Sequence, residues 1–260
     1  NLLINIPMIF NKLIYKYNNS NIDNLQFYDE SFLKNKINNI NNVYHSLEQN
    51  ILHTSSIYFN GIDNYLQIQN HNDFNFSNND FTIELWINLS SYKAWGTIVS
   101  KATLNGANPS SYTLTHNGTN KKIYFWYSTT GSNWDSYIEG STELKLDTWY
   151  HIAITRQDDT LRIFINGILD SVKTLNNNYI IFESTNILNI GCEGNGNFIN
   201  AYLDEIKIIN NQALYTNNFN LFYITHPTNF TNLSLNINSN TSNKFENIID
   251  SSLNNYTIIN

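Results

Sequence analysis

Between residues 55 and 210, apolar and polar side chains alternate one for one over short stretches. In FTIELWINLS, Phe81, Ile83, Leu85, Ile87 and Leu89 fall on one side, and Thr82, Glu84, Trp86 and Asn88 on the other. That period of two belongs to a β-strand. WYHIAITR (149–156) and TLRIFING (160–167) repeat it, and Asp158–Asp159 between them predicts a tight hairpin. Further strands are predicted at 56–60, 65–68, 97–101, 111–116, 122–128, 187–191 and 201–209. Turn dipeptides such as Asn60–Gly61, Asn117–Gly118 and Asn166–Gly167 separate them. No long helical period interrupts the series. Many short strands at regular spacing predict an all-β fold, a two-sheet antiparallel jelly-roll sandwich.

The sandwich is expected over 55–222, with Ser56–Asn60 pairing against 201–209. Residues 1–54 read as lead-in strands and loops, or a junction with a preceding unit. Residues 223–260 read as a linker and the beginning of a second similar unit. The two ends resemble each other: LIYKYNNS and FYDES at 13–31 match LSLNINSN and IIDSS at 233–252. Asp29 and Asp250 occupy equivalent places in this apparent repeat, whose period is roughly 220 residues. The absence of an initiating Met suggests a piece of a longer chain.

Composition narrows the function classes. Only 13% of residues are charged, about half the usual share, and roughly one residue in five is Asn. A net charge of −7 and no basic stripe argue against a nucleic-acid partner, which would have to displace counterions. No apolar run reaches the ~20 residues of a spanning helix. Cys192 is the single cysteine, so there is no internal disulfide and no cysteine-based zinc site, and its plain reading is a small buried apolar residue. A chain of this size without disulfides fits assembly in a reducing cell, viral or microbial.

Eight segments in order resemble laminin-G-like jelly rolls among the concanavalin-like sandwiches: SIYFNGIDNYLQI, NNDFTIELWINL, TIVSK, LDTWYHIAITR, LRIFINGILD, LNIG, AYLDEIKI and ALYTNNF. They run from Ser56 to about Phe219, and the last is similar to versions found in phage and other viral structural proteins. The resemblance implies a virion-surface unit, in a fibre, decoration or tail-associated protein. Its partners would be other virion proteins or further copies of the module, with surface glycans as a further ligand class. The alternative is a lectin-like carbohydrate-binding module of an extracellular or cell-surface protein, or an accessory domain of a glycosidase.

Chemistry of other kinds finds little footing. Glycan-cleaving members of this fold carry paired carboxylates on one strand, close enough for a retaining mechanism. Here FTIELWINLS holds Glu84 alone, and Asp204 and Glu205 in AYLDEIKII are adjacent, which by strand alternation sets them on opposite faces. No enzyme is expected. The six histidines show no metal-ligand spacing. The resemblance implies one metal candidate, a Ca²⁺ held by Asp204 with Asp29 or Asp63, since hard oxygen ligands suit that ion. The plainer alternative is that Asp204 bonds backbone where the closing strand meets the first. The remaining candidate is an aromatic surface for glycans or a partner. Tyr92 and Trp95 lie in one loop, and Tyr124, Trp126, Trp134 and Tyr137 fall on a predicted hairpin.

Overall fold

The computed structural model describes residues 2–6, 35–46, 48–51, 55–104, 107, 110–176, 179–221, 237–238 and 249–250. Two antiparallel sheets pack face to face, and the strands are numbered in chain order. Sheet A runs from Ile168–Thr174 (β13) through Thr160–Ile165 (β12), Trp149–Gln157 (β11), Phe81–Leu89 (β6), Asn200–Asn210 (β15) and Ser56–Asn60 (β4) to Tyr44–Ser46 (β3). β4 pairs with Asn200–Leu203, and Leu2–Ile6 (β1) pairs with the same strand from Ile206 onward. Sheet B runs from Ser136–Glu139 (β10) through Lys122–Tyr127 (β9), Tyr112–Asn117 (β8), Gly96–Lys101 (β7), Leu188–Ile190 (β14) and Tyr65–Ile68 (β5) to Ile37–Ile40 (β2). A separate two-stranded ladder joins Ile237–Asn238 (β16) to Ile249–Asp250 (β17). The remainder of the apparent end repeat, Asp29 included, lies outside the described residues.

Alternation decides which side chains meet. The odd residues of β6 enter the core beside Ile152, Ile154, Ile163, Leu203, Ile206 and Ile208 of sheet A and Leu114, Phe125, Leu188 and Ile190 of sheet B. Phe76 stacks on Phe81 at 4.1 Å and on Tyr112 at 4.7 Å, tying the sheets together near one end. Aromatic contacts of this kind add to the gain from area burial alone.

The even residues of β6 should face water if sheet A were covered on one side only. Instead Thr82, Glu84, Trp86 and Asn88 are all buried. Over Thr82 and Glu84 the cover is the chain that follows β15, which turns back and straps itself across the outer face, whereas Asn88 Nδ2 donates to Gln49 Oε1 at 3.4 Å. Thr82 Oγ1 donates to Gln212 O and accepts from Leu214 N, and Thr155 Oγ1 donates to Tyr215 O. Tyr215 and Phe219 stack at 3.6 Å, and Phe219 also lies 5.4 Å from the ring of Phe164. The strap's far end is fixed by Phe219 N, which donates to Gly167 O at 2.8 Å, and by Asn218 Oδ1, which accepts from Leu169 N.

Gly167 sits in the turn between β12 and β13, where Asn166 and Gly167 both take positive φ (51° and 78°). This is the pairing that two-residue hairpins favour because it matches strand twist. A Cβ at Gly167 would meet Phe219 O at 2.3 Å. Gly167→Ala should therefore lower stability by more than about 1 kcal/mol, since strain and collision outweigh the unfolded-state entropy that the added Cβ removes. It should also accelerate hydrogen exchange at Phe219 N. Denaturant melts and native-state exchange check both outcomes.

Candidate functional site

The outer face of sheet A carries a buried charged cluster. Lys207 Nζ lies 3.3 Å from Glu84 Oε1 and 3.5 Å from Glu205 Oε2, and His151 Nε2 lies 3.5 Å from Glu84 Oε2. Tyr215 of the strap donates its hydroxyl to Glu84 Oε2 at 2.7 Å. Burial pushes the Glu84 carboxyl up, but Lys207, His151 and Tyr215 outweigh it and hold it at about 2. Asp204 differs. It is fully buried, neither carboxyl oxygen has a hydrogen-bond partner of ordinary geometry among the described residues, and burial followed by the Glu205 charge pushes it well above the usual range.

Asp204 and Glu205 are not on opposite faces, contrary to the expectation from alternation. Glu205 has φ 49°, and the register between β15 and β6 slips by one residue between Asp204 and Lys207. This β-bulge adds a residue to β15, so Asp204, opposite Trp86, and Lys207, opposite Glu84, share the outer face with Glu205. Of these, Glu84 and Glu205 are paired with Lys207, and Tyr215 bonds Glu84. Among the described residues no group of three His, Cys, Asp or Glu side chains is placed to hold a metal ion. Asp63 lies apart from Asp204, exposed in the turn between β4 and β5, where its Oδ1 accepts from Asn60 Nδ2 at 2.9 Å. Asp29, the third calcium candidate, lies outside the described residues.

The aromatic candidates divide. On β9, Ile123, Phe125 and Tyr127 enter the core, which turns Tyr124 and Trp126 outward. Tyr137 stands opposite Trp126 on β10, with ring centroids 4.4 Å apart. Tyr124 and Trp126 are nearly parallel, 11° apart in plane with centroids at 5.8 Å. Trp95, from the loop before β7, stands edge-on to both, at 78° and 5.3 Å to Tyr124 and 77° and 5.9 Å to Trp126. The four rings form a corner, two near-parallel faces with a wall against them. Tyr137 is 43% exposed, Trp95 and Trp126 are half-buried, and Tyr124 is buried beneath them.

Polar groups frame the corner. Asn120 Nδ2 donates to Tyr124 Oη at 2.6 Å and to Glu139 Oε1 at 3.2 Å, and Lys122 Nζ lies 3.3 Å from the same oxygen. Thr113 and Thr115 of β8 flank Trp126 and Tyr124. Lys173 Nζ donates to Ser136 Oγ and Tyr137 O, which steadies β10. An aromatic floor with a few fixed polar groups is the usual chemistry of a small-molecule site. Two candidates fall outside it. Tyr92 stacks on His116 at 5.6 Å and donates its hydroxyl to Leu144 O, and Trp134 makes no ring contact among the described residues. Sequence reading missed Lys207 and Tyr215 as partners of Glu84. Its one available signal was a lysine two positions after Glu205.

A family profile for the concanavalin A-like lectin/glucanases superfamily matches residues 59–218. The chain belongs to this superfamily. No curated protein sequence matches it. Among solved structures, the binding domain of Paraclostridial Mosquitocidal Protein 1 superposes with a TM-score of 0.61 at 18% identity, covering 83% of this chain and 50% of that one. The binding domain of botulinum neurotoxin serotype D gives 0.59 at 14% identity, over 86% and 52%. That of botulinum neurotoxin DC in complex with SialylT gives 0.59 at 14%, over 86% and 51%. The concanavalin A-like chain thus spans about half the length of these toxin domains, and at such identities the likeness is one of fold.

Two tests address how this concanavalin A-like sandwich tolerates its buried charges. Lys207→Met strands Glu84 and Glu205 without their counter-charge and should cost about 3–5 kcal/mol in denaturant melts. Glu84, held below its unfolded value of 4.5, stabilises the fold above that pH and loses this contribution as pH falls towards about 2. Asp204, raised in the folded state, acts with the opposite sign: its contribution is full below pH 3.8 and disappears as pH rises. Asp204→Asn should therefore raise stability at pH 7 and leave it little changed at pH 3, as measured by chemical denaturation at both pH values.

Proposed function

We propose that this chain is a non-catalytic carbohydrate-binding module, acting as an adhesive unit of a larger virion-surface protein. The observation that carries the reading is the corner of Trp95, Tyr124, Trp126 and Tyr137 on the outer face of sheet B. Sugar rings present apolar C–H faces to aromatic planes and hydroxyls to the groups around them. The Trp126, Tyr137 and Trp95 rings, backed by the buried Tyr124, offer the first, and Asn120, Glu139 and Lys122 offer the second. The superfamily's description includes lectins. Entry of botulinum neurotoxin type C depends on interaction with two ganglioside molecules, and that toxin's domain has this fold at 13% identity and a TM-score of 0.57.

The non-catalytic half is supported on sheet A, where Glu84 and Glu205 are buried and paired with Lys207, Tyr215 of the strap bonds Glu84, and Asp204 is fully buried. A retaining glycosidase needs its carboxyl pair open to the scissile bond. The virion setting is supported by the ordered motifs up to ALYTNNF and by a chain with a single cysteine, which is buried. Further copies of the module or other virion proteins would be its neighbours. Detection of this chain among the proteins of purified particles would support that setting, and its presence only in culture medium would favour the extracellular lectin instead.

Affinity electrophoresis through gels containing neutral polysaccharides tests the site. Trp126→Ala should weaken the binding at this corner about thirtyfold, the loss expected when an aromatic anchor is truncated. Trp134→Ala, outside the corner, should bind as the parent does. Unchanged binding at this site in Trp126→Ala would remove the basis of the reading.

A further inference from the structure

The outer face of sheet A is strapped along only part of its surface. The strap reaches Thr82, Glu84, His151, Thr155, Phe164 and Gly167. Beyond these, towards β3, a different row of side chains crosses the sheet. Tyr44 stands directly opposite Tyr58, and Tyr58 opposite Tyr202, on three adjacent strands. The flanking Ile57, Phe59, Ala201 and Leu203 all enter the core, so the three tyrosines share the outer face. Their ring centroids are 5.2 and 4.9 Å apart, with planes tilted by 48° and 44°. Tyr44 is 37% exposed, and Tyr58 and Tyr202 are half-buried.

The same row continues through Asn88, opposite Tyr202, to Trp149 on β11. Trp86 lies one pair further along β6. Asn88 and Trp86 are buried, and Asn88 Nδ2 donates to Gln49 Oε1 at 3.4 Å. This end of the row is therefore closed, and what the sheet presents beyond it is the three tyrosine rings. The charges around the row are mixed. Glu48 accepts the Tyr202 hydroxyl at 2.9 Å, and Lys93 packs beside Gly61 near Asn200. No net field invites a polyanion.

We infer that the Tyr44–Tyr58–Tyr202 row is a second saccharide-binding face, taking a neutral oligosaccharide chain whose successive rings lie on successive tyrosines. It stands on the opposite sheet from the corner of Trp95, Tyr124, Trp126 and Tyr137 and rests on separate residues. A module with one saccharide face on each sheet would bridge two glycan chains, or bind one surface with the gain that linkage brings. The row is chemically distinct from the corner. It has three phenol rings and no indole face among the exposed ones.

The test uses the full chain in affinity electrophoresis against β-glucan, mannan and xylan, with heparin as the anionic arm. Four proteins are compared: the parent, Trp126→Ala, the pair Tyr44→Ser and Tyr58→Ser, and the combination of all three. Tyr44→Phe with Tyr58→Phe keeps the rings and should migrate as the parent does. Thermal melts establish that each variant is folded. The expected result is that Trp126→Ala keeps measurable retardation by a neutral polysaccharide, and that adding the two serine changes reduces it a further thirtyfold or so. Should the serine pair lose binding while Trp126→Ala does not, this inference stands and the corner loses its role. The inference is overturned if the serine pair binds neutral polysaccharides like the parent, or if Trp126→Ala alone abolishes retardation. It is equally overturned if only heparin retards the chain, or if no polysaccharide does. A concentration-dependent dimer that the serine pair dissolves, without any saccharide, would assign the row to self-association and also overturn it.

Discussion

Lys207 lies between the carboxylates of Glu84 and Glu205 on a sheet face that the chain then covers with its own strap. Charges taken out of water are tolerable only when paired and hydrogen-bonded, so each member of this cluster depends on the others. The bulge at Glu205 brings the second carboxylate within reach of the amine, and His151 and the Tyr215 hydroxyl complete the surroundings of the first. Tyr215 in turn brings Phe219 onto Phe164 and His151, and Phe219 closes on the turn at Gly167. One ionic cluster thus connects β6, β11, β15 and the strap to the start of β13. Because the strap ends there, the rest of the outer face is left to the tyrosine row. Because the cluster is sealed, Glu84 and Glu205 are closed off from solvent.

The sandwich was legible because period-two alternation is a local property, and β6, β11 and β12 obey it residue by residue. What alternation could not show is whether an outward face meets water. Thr82 and Glu84 look solvated in sequence and are buried, since the covering strap lies some 130 positions away. The adjacency of Asp204 and Glu205 misled for a related reason. A bulge shifts the phase of alternation, and here a glutamate rather than a glycine or asparagine takes the left-handed conformation, so no residue type marks it.

The aromatic candidates were legible as a class and not as a site. Alternation on β9 was enough to turn Tyr124 and Trp126 the same way, and β10 follows as the hairpin partner. Trp95 joins them only through the path of a loop, and Tyr92 and Trp134, equally aromatic and equally near in sequence, go elsewhere. The tyrosine row was harder still. Tyr58 between Ile57 and Phe59 already stands at an outward position, but Tyr44 belongs to a three-residue strand too short to carry a period. Asp63, a candidate ligand by residue type, is consumed by the turn that Asn60 and Asn64 build around it.

Both open faces are aromatic and both lie on the outside of a sheet whose inner side is a fixed core, which gives rigid, preformed surfaces with little to reorganise on binding. The central claim is that the corner on sheet B receives sugar rings directly. Trp95 and Trp126 are two of five tryptophans, each with one indole N–H, so their signals can be followed individually by NMR once assigned. On titration with neutral oligosaccharides, the account predicts saturable shifts of the Trp95 and Trp126 indole signals while Trp134, outside the corner, stays in place. Indole signals of Trp95 and Trp126 that remain fixed at the highest concentration of every oligosaccharide would contradict it.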